Sequence, residues 1–162
     1  MNVRSAGPAD VELVGALIDD ATAWVGHLGF EQWPLPFPRD ELAAAIGRGE
    51  VYVAEFGGEA VATVTVLTDD PVYWGNRPPD ALYVHKLAVR RDRAGRGVGA
   101  ALVEWAARRA TGLGRVFLRL DCLCGDPGIR RYYEGLGFEH RGDLDDEARG
   151  LRLSLYERRL RP

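Results

Sequence analysis

The spacing of apolar residues changes along the chain, and each change marks a different expected element. Five apolar residues near the N-terminus recur at helical spacing: Val11, Leu13, Val14, Leu17 and Ile18. This spacing predicts an amphipathic helix. From Val51 the period becomes two, and Gly57-Gly58 separates a strand over 51–56 from a second strand over 60–67. Two alternating runs joined by a glycine pair predict a β-hairpin.

Helical and strand patterns alternate over the rest of the chain. The predicted elements are a strand over 3–6, a helix opened by Pro8, a helix over 40–48, strands over 51–56, 60–67 and 82–89, a helix over 97–110, a strand over 116–122, a helix over 129–136, and strands over 138–141 and 151–156. Residues 19–38 are expected to be irregular because prolines stand at 34, 36 and 38, and residues 68–80 to be a loop. The order βααβββαβαββ predicts an α/β fold (an α+β mixed sheet flanked by helices) in a single domain spanning residues 1–162.

Composition and charge narrow the class of protein. The chain is 46% hydrophobic and 28% charged, as in ordinary globular domains. A net charge of −3 argues against nucleic acid as a partner, and no apolar run approaches the roughly 20 residues that span a membrane. The N-terminus shows no export signal, so a cytoplasmic location is expected. Lys86 is the only lysine beside 20 arginines, which indicates a GC-rich bacterial genome.

The two cysteines, Cys122 and Cys124, lie in the strand predicted over 116–122 and just beyond it. Residues two apart on a strand point to the same side, so a disulfide between them is not expected. Without histidine or further cysteine at ligand spacing they predict no metal site. Buried apolar side chains are the preferred interpretation.

A glycine-rich turn is the most informative segment for function. Gly95, Gly97 and Gly99 follow a strand and open a helix. Glycines let backbone N–H groups converge on a ligand, and a helix N-terminus favours negative charge, so the turn predicts a phosphate or pyrophosphate site. A tight strand–helix connection is the alternative. The segment lacks the Lys-Ser/Thr of a P-loop and does not fit the dinucleotide fingerprint G-x-G-x-x-G.

Two segments of the chain resemble the GCN5-related N-acetyltransferase (GNAT) family. Residues 94–100, A-G-R-G-V-G-A, are similar to the family pattern R-G-x-G-x-G-A, and residues 126–138, D-P-G-I-R-R-Y-Y-E-G-L-G-F, to N-x-x-A-x-x-x-Y-E-x-x-G-F. The element order also agrees, so the resemblance covers essentially the whole chain. Ala94 departs from the family's Arg or Gln, although Arg93 precedes it, and Asp126 replaces a frequent Asn.

The resemblance implies an acetyl-CoA-dependent N-acetyltransferase that moves an acetyl group directly to a primary amine in a ternary complex. The backbone of residues 87–89 would hold the pantetheine arm, which Asp126 would also contact. The glycine turn would hold the pyrophosphate, and Arg93 or Arg96 would supply positive charge there. The implied cofactor-binding residues are Leu87, Ala88, Val89, Arg93, Ala94, Gly95, Arg96, Gly97, Val98, Gly99, Ala100, Asp126 and Tyr133.

Two residues are candidates for proton transfer. Tyr133 stands where the family places a tyrosine facing the CoA sulfur, so the resemblance implies a general acid for the departing thiolate. His85 is the candidate base, because an imidazole titrates near neutrality. It is predicted to share a strand face with Leu87 and Val89, and its position is similar to that of a histidine in arylalkylamine N-acetyltransferases. A structural role is the alternative for both side chains, and Tyr132 is expected only to pack.

The acceptor site is expected in residues 19–38 and 68–80, which would flank the open end of the sheet. The predicted substrate-binding residues are Trp24, Phe30, Trp33 and Tyr83. Aromatic and acidic side chains in these segments suit a small cationic or aromatic amine; core packing is the alternative for the aromatic residues. Two other functions stay open: a protein or peptide N-acetyltransferase, and a non-catalytic CoA-binding sensor or partner module. The sequence does not indicate an oligomeric state, although homodimers are common among the proteins that it resembles.

Overall fold

The fold is taken from a computed structural model that describes residues 1–161. These residues form seven strands: β1 (Asn2–Ser5), β2 (Val51–Phe56), β3 (Glu59–Leu67), β4 (Ala81–Val89), β5 (Phe117–Leu123), β6 (Glu139–Asp146) and β7 (Leu151–Arg159). They also form five helices: α1 (Val11–His27), α2 (Arg39–Gly47), the one-turn α3 (Pro71–Trp74), α4 (Val98–Gly112) and α5 (Pro127–Gly135). The expected order βααβββαβαββ is confirmed, with α3 added inside the predicted loop over 68–80.

The strands form one mixed sheet in the order β1-β2-β3-β4-β5-β7-β6. Only β4 and β5 pair in parallel among the pairings described; β1–β2, β2–β3, β5–β7 and β6–β7 are antiparallel. A parallel pair requires a crossover, and α4 lies between these two strands in the chain. The predicted α/β class with a mixed sheet is confirmed. Along residues 1–161, no helix combines the length and apolarity needed to cross a membrane.

The chain divides into two compact units, the first made of Met1–Val66 and Lys86–Leu102. Its core brings one face of α1 and α2 against β2, through residues such as Val14, Ile18, Leu42 and Val53. Val14 and Ile18 belong to the apolar stripe that the sequence pattern identified, and alternate residues of a strand extend it. Leu13 of that stripe is 38% exposed, so the prediction is wrong for this residue. The β2–β3 turn places Gly57 and Gly58 at φ of 61° and 83°, as a two-residue hairpin loop requires.

The second unit comprises Leu67–His85 and the residues from Val103 onward. Its most unusual feature is the buried guanidinium of Arg119, only 2% exposed, which donates to Glu157 at 2.7 Å, Asp80 at 2.9 Å and the hydroxyl of Tyr83 at 2.9 Å. Burying a charge is costly unless it is paired and hydrogen-bonded, and here the two carboxylates and the phenol meet that requirement. Both units include residues of β4 and α4, and the single-domain boundaries of 1–162 stay a prediction.

Two boundaries differ from the sequence-based expectation by five residues or more. The irregular region predicted from residue 19 is wrong for residues 19–27, because α1 continues to His27. The prolines that exclude a helix begin only at residue 34, and α1 ends just before Gly29, whose φ of 87° suits a helix terminus. Strand β6 runs to Asp146 rather than 141, since it pairs with β7 over that whole length.

The cysteines are both free, as the strand geometry predicts. Cys122 is buried, and burial raises the pKa of its thiol to about 12, so it behaves as an apolar side chain. Cys124 is half-buried because β5 ends at Leu123, and the expectation of burial is wrong for this residue.

Candidate active site

The glycine turn of the first unit has the geometry of an anion site. Gly95 and Gly97 have φ of 73° and 78°, which other residues rarely adopt, and no atom lies within 4 Å of where a Cβ would stand on either residue. Helix α4 then begins at Val98, and the N–H groups of its first turn have no acceptor within the helix. Open space beside glycine backbone and a helix N-terminus fits a pyrophosphate.

Of the two arginines considered for this turn, Arg96 is the better placed to add charge. Arg93 is engaged with Glu59 at 3.6 Å and Asp92 at 3.8 Å. Arg96 is exposed and forms no ion pair with any residue from 1 to 161. A guanidinium without a carboxylate partner is free to meet a phosphate.

Helix α1 supports the start of this turn through two contacts with Arg91. The carboxylate of Asp20 accepts the backbone N–H of Arg91 at 3.2 Å. The guanidinium of Arg91 lies 4.0 Å from the ring centroid of Trp24, a cation–π distance. Trp24, expected at the acceptor site, is therefore engaged in holding the loop; its acceptor contact stays a prediction.

The end of β4 contains a strained residue. Lys86 has φ of 49°, and within residues 1–161 it is the one non-glycine residue with positive φ. Such a conformation typically costs about 1–3 kcal/mol and tends to occur at functional sites. This conformation interrupts the regular alternation of side chains along the strand. Strand geometry therefore no longer implies that His85 points to the same face as Leu87 and Val89. Cofactor contacts with the backbone of residues 87–89 stay a prediction.

The second unit places His85 between two carboxylates. Its Nε2 lies 3.0 Å from Asp70 Oδ2, and its Nδ1 lies 3.3 Å from Asp121 Oδ1. The three side chains are 15%, 7% and 12% exposed respectively. The register of β4 and β5 pairs Val84 with Leu120, which makes His85 and Asp121 neighbours. Asp70 is fixed separately, since it caps α3 by accepting the N–H of Tyr73 at 3.4 Å.

The two contacts of the His85 ring differ in kind. A neutral imidazole has one N–H and one lone pair, so it donates to only one of the two carboxylates. The Nε2 contact with Asp70 is a hydrogen bond at 3.0 Å, whereas the Nδ1 contact with Asp121 is a close approach at 3.3 Å. His85 therefore belongs to a chain of three groups, Asp70–His85–Asp121, in which each ring nitrogen has one carboxylate beside it.

The same three residues offer ligand atoms within 4.8 Å of one another, the grouping in the described chain that a metal ion could use. One metal ion binds one nitrogen of an imidazole, whereas here each carboxylate faces a different nitrogen.

Tyr133 on α5 is buried, with its ring edge-to-face against Phe138 at 5.8 Å. Burial raises the pKa of Tyr133 far above its usual value, and the charge of Asp121 adds a smaller effect. The phenol therefore stays protonated at neutral pH, as is required of a group that donates a proton to the leaving thiolate. Tyr132, expected to pack, is 39% exposed, although its ring touches that of Tyr133 at 5.3 Å.

Asp126 has a structural role that accounts for its presence. It is the N-cap of α5, and its Oδ1 accepts the N–H groups of Gly128 at 2.9 Å and Ile129 at 3.2 Å. An acidic N-cap followed by proline is a strong helix start. Contact between Asp126 and the pantetheine arm stays a prediction. It would involve Oδ2, because Oδ1 is the oxygen that caps the helix.

The other predicted acceptor residues are engaged in packing or in buried hydrogen bonds. Trp33 packs against the core of the first unit, and Phe30 is half-buried just beyond α1. Tyr83 is 3% exposed, and its hydroxyl accepts a hydrogen bond from Arg119. These observations support the alternative of core packing for Trp33 and Tyr83, and acceptor contacts by these side chains stay predictions.

Sequence reasoning missed Asp121 and the partnership of Asp70 with His85. Asp70 carries a local signal, because Asp-Pro at 70–71 is typical of a capped helix start. Asp121 carries none, since only the pairing of β4 with β5 brings it to His85.

Comparison with known proteins adds independent evidence. The model of the acetyltransferase (GNAT) family matches residues 13–138. The chain is 29% identical over 141 residues, 82% of its length and 78% of the relative's, to the uncharacterized N-acetyltransferase YesJ of Bacillus subtilis (strain 168).

Solved structures share the fold over nearly the whole chain. A GNAT-family acetyltransferase from Listeria monocytogenes 4b F2365 superposes with a TM-score of 0.81 at 24% identity, over 98% of this chain and 94% of that one. The yncA protein of Salmonella typhimurium, solved with its cofactor acetyl-CoA, gives a TM-score of 0.73 at 16% identity, over 100% and 95%. With a family match over most of its length and this agreement in fold, the chain belongs to the acetyltransferase (GNAT) family.

Proposed function

We propose that this enzyme transfers the acetyl group of acetyl-CoA to the primary amine of a small molecule, by direct transfer in a ternary complex. The observation that carries the proposal is the Asp70–His85–Asp121 chain, which has the composition of a proton acceptor and lies in the same unit as the protonated Tyr133. A CoA-binding sensor would have no need of a buried acid–base set.

Two sets of residues carry the proposed reaction. The turn at Gly95 and Gly97, the N-terminus of α4 and Arg96, all in the first unit, bind the pyrophosphate. Acetyl-CoA, when bound, supplies an acetyl group already activated as a thioester. In the second unit, His85 accepts the proton that the amine loses, and Asp70 and Asp121 stabilise the charged ring. Tyr133 donates its proton to the sulfur of the leaving thiolate. The proton held by His85 then returns to the phenolate through solvent, so that one proton has left the amine and one has reached the CoA thiol.

Because the residues proposed to transfer protons are buried, a small amine is favoured as the acetyl acceptor. All three members of the Asp70–His85–Asp121 chain are 15% exposed or less. An aliphatic or arylalkyl amine can reach such groups with little desolvation of its own, and its positive form is attracted by the two carboxylates. A peptide acceptor must bring its backbone polar groups along, each of which needs a partner when buried.

The test is a panel of acceptors assayed by release of the CoA thiol. We expect kcat/KM for aliphatic diamines and arylalkylamines to exceed that for peptides with free N-termini or lysine side chains by at least tenfold, which is about 1.4 kcal/mol of transition-state binding. Higher values for the peptides would replace the small-molecule proposal by peptide acetylation. Acetyl-CoA binding without thiol release above hydrolysis for any amine would contradict catalysis itself.

A further inference from the structure

A basic cavity lies in the second unit, between the C-terminal half of α4 and the end of β7. Its volume is about 570 Å³. The lining residues are Glu104, Ala107, Arg108, Thr111, Gly137, Arg158, Arg159, Leu160 and Arg161. None of them belongs to the glycine turn, to the Asp70–His85–Asp121 chain or to α5, so the proposed acetyl transfer leaves this cavity without a role.

The one carboxylate of the cavity is already neutralised. Both oxygens of Glu104 accept hydrogen bonds from Arg158, at 2.6 Å and 3.0 Å. Arg158 also donates to the carbonyl of Leu136 at 3.2 Å, so this guanidinium is held in place. The hydrogen bond from Arg158 lowers the pKa of Glu104, and the charge of Arg108 adds a smaller effect.

Three arginines of the cavity keep their charge uncompensated. Arg108, Arg159 and Arg161 are exposed, and none forms an ion pair with a carboxylate in the part of the chain that the structure describes. Arg159 instead lies over the ring of Phe117 at 5.9 Å. A protein with a net charge of −3 has thus gathered unpaired cations around one concave surface. Such a surface attracts anions and gains stability when one binds.

The basic surface continues along α4. A second, shallower depression of about 460 Å³ shares Arg108 with the first and is otherwise lined by Trp105, Arg109, Gly112 and Leu113. The guanidinium of Arg109 lies 5.8 Å from the ring centroid of Trp105. The cavity therefore has an aromatic surface within reach of its cations.

We infer that this cavity binds a small anion carrying several phosphate groups. Planar guanidinium groups match phosphate oxygens in geometry and in charge, and several arginines around one cavity suit a ligand with more than one phosphate. The volume falls within the range of roughly 300–1,000 Å³ that is typical of small-molecule sites. The ligand is either a free oligophosphate or the phosphate chain of a nucleotide, whose base would meet Trp105.

The experiment is titration calorimetry with sodium tripolyphosphate and, in a parallel arm, ATP. The enzyme is first saturated with CoA, so that the glycine turn is occupied and cannot bind the probe. We expect one further site for tripolyphosphate in the wild-type enzyme and at least a tenfold higher Kd in the double variant Arg108→Gln/Arg159→Gln. ATP binding more than tenfold tighter than tripolyphosphate would identify a nucleotide as the ligand; equal affinities would identify the phosphate chain alone.

The matched control is Arg48→Gln/Arg152→Gln, which removes two exposed arginines outside the cavity. This control should keep the wild-type Kd, and both double variants should keep the wild-type melting temperature and rate of acetyl transfer. No binding of tripolyphosphate to the CoA-saturated enzyme up to about 1 mM would overturn the inference. An equal loss of affinity in both double variants would also overturn it, because it would show attraction to overall charge rather than to this cavity.

Discussion

Replacing Asp121 by Asn tests whether the carboxylate beside His85 takes part in proton transfer. The substitution removes one negative charge 3.3 Å from Nδ1 and keeps the shape of the side chain. The groups that face His85 are then Asp70 from the loop before α3, Tyr73 from α3 at a ring distance of 6.3 Å, and the new amide on β5.

The sign of the effect follows from which form of the ring the carboxylate stabilises. Opposite unit charges 3.3 Å apart attract by about 5 kcal/mol at an effective dielectric constant near 20, which is an upper bound because desolvation opposes it. Without Asp121 the charged ring loses this attraction, so the step in which His85 takes the amine proton becomes less favourable and kcat/KM should fall by at least about tenfold.

The assay is the initial rate of CoA thiol release between pH 5 and pH 10, with two amines of different pKa so that titration of the acceptor is recognised. Asp145→Asn is the matched control, since Asp145 is an exposed carboxylate on β6 paired with Arg152. That variant should keep the wild-type profile. A kcat/KM in Asp121→Asn that equals the wild-type value across this pH range, in an enzyme whose melting temperature shows that it is folded, would refute the role of Asp121.

Three further predictions concern binding, chemistry and stability. Gly97→Ala should weaken acetyl-CoA binding at least tenfold in calorimetry, because a Cβ at φ of 78° strains the turn and fills the space beside it; Gly49→Ala, with a similar φ of 73°, should keep the affinity. Tyr133→Phe should lower kcat by about 10²–10⁴ with an unchanged Kd for acetyl-CoA, whereas Tyr132→Phe should keep wild-type turnover; equal rates in both variants would exclude Tyr133 as the acid. Arg119→Leu should lower the free energy of unfolding by about 3–5 kcal/mol in denaturant titration, because two carboxylates lose their buried partner; a loss below about 1 kcal/mol would contradict that account.

The sequence by itself determined the order of the main elements and the place of the glycine-rich turn. Each rests on residues close together in the chain: the helical spacing from Val11 to Ile18, the period-two runs around Gly57-Gly58, and the glycines of the turn, two of which have positive φ. Backbone preferences and periodicity act over a few residues, so a linear pattern records them. Where it failed, as at the end of α1, the strong breakers lay several residues beyond the last helical turn.

Only the tertiary structure decided which side chains act together. Asp70 and Asp121 lie 15 and 36 positions from His85, and they meet it because α3 begins at Asp70 and because β4 and β5 pair in one register. A shift of one residue in that register would turn Asp121 to the opposite face of the sheet. The stacking of Arg91 on Trp24 and the gathering of arginines from α4 and β7 likewise depend on distant segments meeting. Side-chain convergence is set by strand register and helix docking, which arise from the packing of the whole core rather than from any local run of residues.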